Sequence, residues 1–143
     1  MKILSLASSY IRQAEARVKT AINAFREGNY PYALRSSQEA VELCLKASLR
    51  LIGIEYPKIH DVSDILLKYI DRFPEWFRRE GEFLSETSKK LVLKRELSFY
   101  GGEEALLTPE ELISRDDAKD AIDRAEKTLN LCRKLLGEYM GRR

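Results

Sequence analysis

PYALRSSQEAVELCLKASLRLIG, residues 31–53, is the stretch on which the fold turns. Pro31 suits the first turn of a helix, where its missing N–H has no partner to lose, and Gly53 suits the stop. After Ala40 the apolar side chains Val41, Leu43, Cys44, Leu45, Ala47, Leu49, Leu51 and Ile52 occupy more than one side of that helix. So wide an apolar surface must pack between several neighbours. The small residues Ala33, Ser36, Ser37, Ala40, Ala47 and Ser48 permit close approach. The pattern predicts a central helix whose surplus apolar surface, around Leu45 and Leu49, also forms a homodimer interface.

Working outward, Ile3, Ala7, Tyr10, Ile11, Ala14, Val18, Ala21, Ile22 and Phe25 recur at the three-and-four spacing of a helix over 3–27, which Gly28 stops. On the other side, Asp61 is placed to cap a helix over 62–71, and Pro74 breaks the helical run. Trp76 and Phe77 then cover an end of the core. Residues 81–99 read as a helix whose stripe runs through Phe83, Leu84, Leu91, Val92 and either Leu97 or Phe99, so its facing stays open. A long connection comes next, with a capping-box pattern from Thr108 to Glu111. Ser114 with Asp117 caps a last helix striped by Ala118, Ala121, Ile122, Ala125, Leu129, Cys132, Leu136 and Tyr139. No segment reads as strand. The expected class is all-α, an antiparallel up-and-down bundle of four to five helices forming one domain over 1–143.

Composition agrees with a globular chain: 143 residues, 44% hydrophobic and 34% charged. The 25 Lys and Arg against 23 Asp and Glu leave a net charge of +2, which excludes a strong global attraction to nucleic acid or to an anionic membrane. Local clusters such as Arg78-Arg79, Lys89-Lys90 and Lys94-Arg95 remain possible contacts, though solvated helix faces are the ordinary reading. Without a run of eighteen apolar residues or a secretory leader, no membrane association and a cytoplasmic location are expected. Cys44 and Cys132 are far apart and fit buried free thiols in a reducing compartment. One histidine and two distant cysteines do not make a zinc site, and no glycine loop cradles a phosphate. Neither a metal nor a cofactor is expected.

The residues that could carry chemistry lie around YPKIHDVSDILL, residues 56–67. His60, the chain's one histidine, stands before the predicted cap, where a helix start favours a neutral imidazole or an anion. It is the one catalytic candidate, and Lys58 could add positive charge. A packed or backbone-bonded His60 is the plainer alternative. Glu42 and Lys46, one turn apart, are either a surface pair or a partly buried one at a pocket. Arg95 and Tyr100 could close such a pocket by stacking on a base or holding a phosphate.

The order of Tyr30, Ala33, Glu39, Glu42, Lys46 and Ala47, then Gly53, Pro57 and His60-Asp61 before a Leu-rich helix, resembles the HEPN domain family (higher eukaryotes and prokaryotes nucleotide-binding). The likeness is to its small stand-alone prokaryotic and archaeal members. RELSFYGGEE (95–104) and SRDDAKDAIDRAEKTLNLCRKLL (114–136) are similar to that family's last two helices. The resemblance implies a helical bundle, commonly dimeric, that binds a nucleotide or nucleic acid. It also implies a separately encoded minimal nucleotidyltransferase as partner, in a toxin–antitoxin-like pair. The nucleotide-binding candidates are then Lys46, Lys58, His60, Arg95 and Tyr100.

RNase members of the family have an Arg and a following His with four to six residues between them. Here the positions for that Arg hold Gly53, Ile54 and Glu55, and the nearest upstream arginine is Arg50. The chain therefore reads as a binding module. A metal-independent RNase toxin with a degenerate motif and a purely structural oligomerising bundle are the alternatives.

Overall fold

A computed structural model describes residues 2–101 and 106–141. Four long helices carry the architecture: α1 (Lys2–Arg26), α2 (Tyr30–Leu51), α5 (Gly81–Glu96) and α7 (Arg115–Gly141). Short helices α3 (Ser63–Lys68), α4 (Glu75–Arg78) and α6 (Pro109–Leu112) lie between them, and no strand occurs among the described residues. The all-α bundle expected from the apolar spacing is therefore what the chain forms. The helix ends differ slightly: α3 gives way to a 3₁₀ turn over Ile70–Arg72, and α5 ends in a wider π turn over Leu97–Gly101.

The α1–α2 hairpin results from local chemistry. Gly28 adopts φ +78°, a left-handed conformation without a Cβ penalty. Its N–H bonds to the Phe25 carbonyl at 3.0 Å, and that of Asn29 to the Ala24 carbonyl at 2.8 Å, closing the end of α1. The Asn29 side chain then accepts from the Tyr32 N–H at 3.3 Å and starts α2.

The core confirms α2 as the central element. It packs against α1, α7, α5, α3 and α6. Ala7, Ile11, Ala14 and Val18 of α1 bury against Leu34, Val41, Cys44, Leu45 and Leu49 of α2, with Ala121, Ala125, Leu129 and Cys132 of α7 closing the layer. The predicted small residues Ala33, Ser36, Ser37, Ala40, Ala47 and Ser48 are all buried. Ser37 and Ser48 satisfy their hydroxyls on carbonyls one turn back, at 2.8 and 2.9 Å.

One expectation fails here. Leu45 and Leu49 have no exposed surface, because five neighbouring elements cover the apolar circumference of α2. They can form no interface between copies. Exposed apolar side chains occur instead at Leu93 and Leu97, one turn apart at the end of α5.

The facing of α5 also becomes defined. Its buried side is Gly81, Leu84, Ser85, Thr87, Ser88 and Leu91, whereas Leu97 and Phe99 are exposed. Half of that face is small and hydroxylic, so apolar spacing alone could not reveal it. Phe77 is fully buried and stacks on Phe73 at 4.5 Å, while Trp76 donates to Glu138 of α7 at 2.9 Å. The capping box before α7 is complete: the Asp117 N–H donates to Ser114 Oγ at 3.1 Å and the Ser114 N–H to Asp117 Oδ2 at 3.0 Å.

Candidate functional site: a charged groove between α2, α5 and the His60 loop

The loop from α2 to α3 is held at both ends. Gly53 adopts φ +79°, its N–H bonds to the Arg50 carbonyl at 2.9 Å, and the Ile54 N–H reaches the Leu49 carbonyl at 3.0 Å. This glycine closure reverses the chain over α2. Tyr56 then lies against α2, with the Arg50 guanidinium 4.8 Å and the Lys46 ammonium 5.4 Å from its ring centroid.

At the other end, Asp61 accepts from the Ser63 N–H at 2.9 Å, the Ser63 hydroxyl at 2.6 Å and the Ser88 hydroxyl at 2.6 Å. Lys89 adds a contact at 3.2 Å. Burial works to raise the Asp61 pKa, but these hydrogen bonds outweigh it and hold the carboxyl below its ordinary value. Asp61 is therefore not the cap its sequence position suggested: Val62 holds the N-cap position of α3 without a side-chain bond, and Asp61, one residue earlier, braces the first turn through Ser63 and ties the loop to α5.

Between these anchors His60 returns to α2, and its Nδ1 lies 2.8 Å from Glu42 Oε1. The same Glu42 oxygen accepts from Gln38 Nε2 at 3.0 Å, and Oε2 pairs with Lys46 at 2.8 Å. Burial would raise the Glu42 pKa, yet the hydrogen bonds from Lys46, Gln38 and His60 prevail and lower it. Glu42 is thus an ionised acceptor, and His60 must donate through Nδ1. In the neutral ring Nε2 is then left as an acceptor.

Arg95 comes from the last turn of α5 and donates to Gln38 Oε1. Gln38 is 1% exposed and can be oriented only one way: its carbonyl meets a donor-only guanidinium and its amide meets a carboxylate. One buried amide therefore links Arg95 to the Glu42–His60 pair. Glu39, on the next position of α2, is approached by Arg17 at 3.0 Å, Arg35 at 3.4 Å and Arg95 at 3.6 Å. Four cationic side chains, Arg17, Arg35, Lys46 and Arg95, surround two carboxylates. Positive charge is in surplus before His60 is counted.

A depression of about 220 Å³ lies on this cluster, lined by Arg17, Glu39, Glu42, Leu43, His60 and Arg95. A second, of about 270 Å³, adjoins it through His60 and Arg95 and continues past Val92 and Glu96 to Phe99. Such an opening, with guanidinium donors on its wall, can hold a phosphate or a carboxylate.

Of the sequence-derived candidates, His60 and Arg95 meet at the groove, and Lys46 stands behind them, half-buried on Glu42. The Glu42–Lys46 pair is thus of the partly buried kind. Lys58 is exposed and makes no ion pair among the described residues. The side chain of Tyr100 lies outside the described residues. Arg17, Gln38 and Glu39 were not among the expected site residues. The four-residue steps from Gln38 to Glu42 to Lys46 could have flagged Gln38, but nothing in the sequence points to Arg17.

Positions 53–55 hold no arginine, while Arg95, 35 positions after His60, lines the same depression as that histidine. Among the described residues no helix is long and apolar enough to cross a membrane.

A protein of Methanocaldococcus jannaschii named "Putative toxin MJ1304" is 27% identical over 144 residues, covering 96% of this chain and 93% of that protein. No solved structure matches the chain. The model of the HEPN domain matches residues 7–135, nearly the full length of the bundle and all of the groove, and the chain belongs to the HEPN domain family.

Proposed function

We propose that the chain is a HEPN module that binds a phosphate-bearing ligand, a nucleotide or RNA, in the groove between His60 and Arg95. The observation that carries this reading is the charge surplus: three guanidiniums converge on the single carboxylate of Glu39, and each retains further N–H donors for an oxyanion. In this reading the module is the toxin-like half of a cytoplasmic pair whose other half is a separately encoded minimal nucleotidyltransferase. The name of the archaeal relative supports the first part of that statement. A homodimer fits the same reading, with the exposed Leu93–Leu97 edge as its contact.

Thermal unfolding with and without AMP, CMP, GMP or UMP tests the ligand. At a hundred times the dissociation constant a nucleotide adds about 2.7 kcal/mol to the folded state, and Arg95→Gln should abolish the shift. A melting curve unmoved by millimolar nucleotide and by RNA would favour the purely structural bundle.

A second reading is favoured by one geometric fact, the shared wall of His60 and Arg95. With Nδ1 committed to Glu42, Nε2 could accept the proton of a ribose 2′-hydroxyl while Arg95 stabilises charge on the phosphate. Such a metal-independent RNase would cleave a defined RNA with wild-type protein and lose that activity in His60→Ala. Equal residual cleavage by both proteins removes His60 from the reaction.

A further inference from the structure

The groove does not end at Arg95. Phe99 forms part of the wall of the 270 Å³ depression and also of a third, of about 210 Å³, which it shares with Pro31, Tyr32, Arg35 and Glu110. The three depressions thus form one track, joined first by His60 and Arg95 and then by Phe99. One face of α2 supplies its floor: Tyr32, Arg35, Glu39 and Glu42 succeed one another at three- or four-residue steps. At the rise of an α-helix that face runs about 15 Å, longer than a mononucleotide.

The chemistry changes along the track. At the His60 end cations dominate. Beyond Arg95 the lining is mixed, with Phe99, Tyr32, Pro31 and Pro109 beside Arg35, Asn29 and Ser98, and it carries Glu96 and Glu110, which repel a phosphate. Tyr32 is 47% and Phe99 41% exposed, large values for aromatic side chains. The Phe99 ring is already in contact with cations, Arg35 at 4.8 Å and Arg95 at 5.8 Å from its centroid. A flat, uncharged, partly polar group fits this end, and a carboxylate at its edge accepts from an amino group.

We propose that the Tyr32–Arg35–Phe99 end of the track is a seat for an unpaired base, so that the ligand is a single-stranded oligonucleotide with one phosphate at His60–Arg95 and the next base beside Phe99. This rests on the phosphate reading of the groove. Stacking on an aromatic ring flanked by arginine contributes affinity without strict sequence preference. Glu110 adds a bias towards bases carrying an exocyclic amine, such as cytosine, over uracil.

The test uses the full-length protein with labelled hexacytidylate, labelled hexauridylate and CMP as probes, in one fixed salt concentration. Tyr32→Ala and Phe99→Leu should each weaken hexacytidylate binding about fivefold to a hundredfold while leaving CMP binding unchanged. Arg95→Gln should weaken both. Glu110→Gln should reduce the preference for hexacytidylate over hexauridylate. Circular dichroism confirms that each variant is folded, and exposed Tyr32 keeps the test open if Phe99→Leu is not. Wild-type hexamer binding by the aromatic variants, with Arg95→Gln still defective, would overturn the base seat and leave the phosphate site standing. Unchanged binding of every probe by Arg95→Gln would overturn both.

Discussion

The two sides of α2 are built on opposite rules. One side buries Leu34, Val41, Leu45 and Leu49 against α1 and α7, where fit and apolar area matter. The other carries Arg35, Glu39, Glu42 and Lys46 beneath a loop and the end of α5, where every carboxylate is held by several donors. The first side makes the helix stay. The second uses that rigidity to hold two groups, His60 and Arg95, that no local sequence could bring together. Rigid backbone under a polar cluster is what keeps charged side chains from relaxing into separate, solvated pairs.

The comparison can be broken from its apolar side with the largest effect. Leu45→Ala should lower unfolding free energy by about 2–5 kcal/mol in urea titration, and Leu45→Glu should prevent folding at physiological temperature. A folded Leu45→Glu protein that had only changed its oligomeric state would restore the interface first expected of α2. Next in size is Asp61→Ala, which leaves Ser63 and Ser88 without their shared acceptor. It should cost about 1–3 kcal/mol and should speed hydrogen exchange in the His60 loop while leaving α1 and α7 unaffected.

A third change sharpens the polar side. The folded-state pKa of Glu42 is lowered, so its contribution to stability is present above the ordinary carboxyl value and is lost as pH falls through the folded one. Unfolding free energy should therefore drop on acidification below the usual glutamate range, more steeply in wild type than in Glu42→Gln. Parallel acid profiles for the two proteins would show that Glu42 is not the ionised hub of the cluster. The smallest effect belongs to a solvent-exposed pair on α7, Lys119–Asp123 at 2.6 Å. Lys119→Ala should shift stability by no more than about 0.5 kcal/mol, and a larger loss would mean that surface pairs matter more here than packing.

Much of the bundle was legible because helices write their packing into local spacing. The stripe of α1, the Gly28–Pro31 turn and the Ser114–Asp117 cap each need only a few consecutive residues, and each forms as read except at Ile3, which opens the stripe and is exposed. The buried side of α5 was not legible, since Ser85, Thr87 and Ser88 are buried by hydrogen bonds and small size instead of by hydrophobicity. Of the groove, His60 and the Glu42–Lys46 step could be singled out. Gln38 showed only as a further four-residue step before Glu42, and Arg17 not at all, because its role depends on which helix lies opposite.

The amino-acid order by itself determined the helices, the turns between them and the central place of α2, because three- and four-residue periodicity, glycine closures and caps act within a few ångströms of chain. Only the tertiary structure decided that Leu45 and Leu49 are interior and that Arg95 stands beside His60. Burial and charge pairing are properties of neighbours, and these neighbours are separated by tens of residues in the chain.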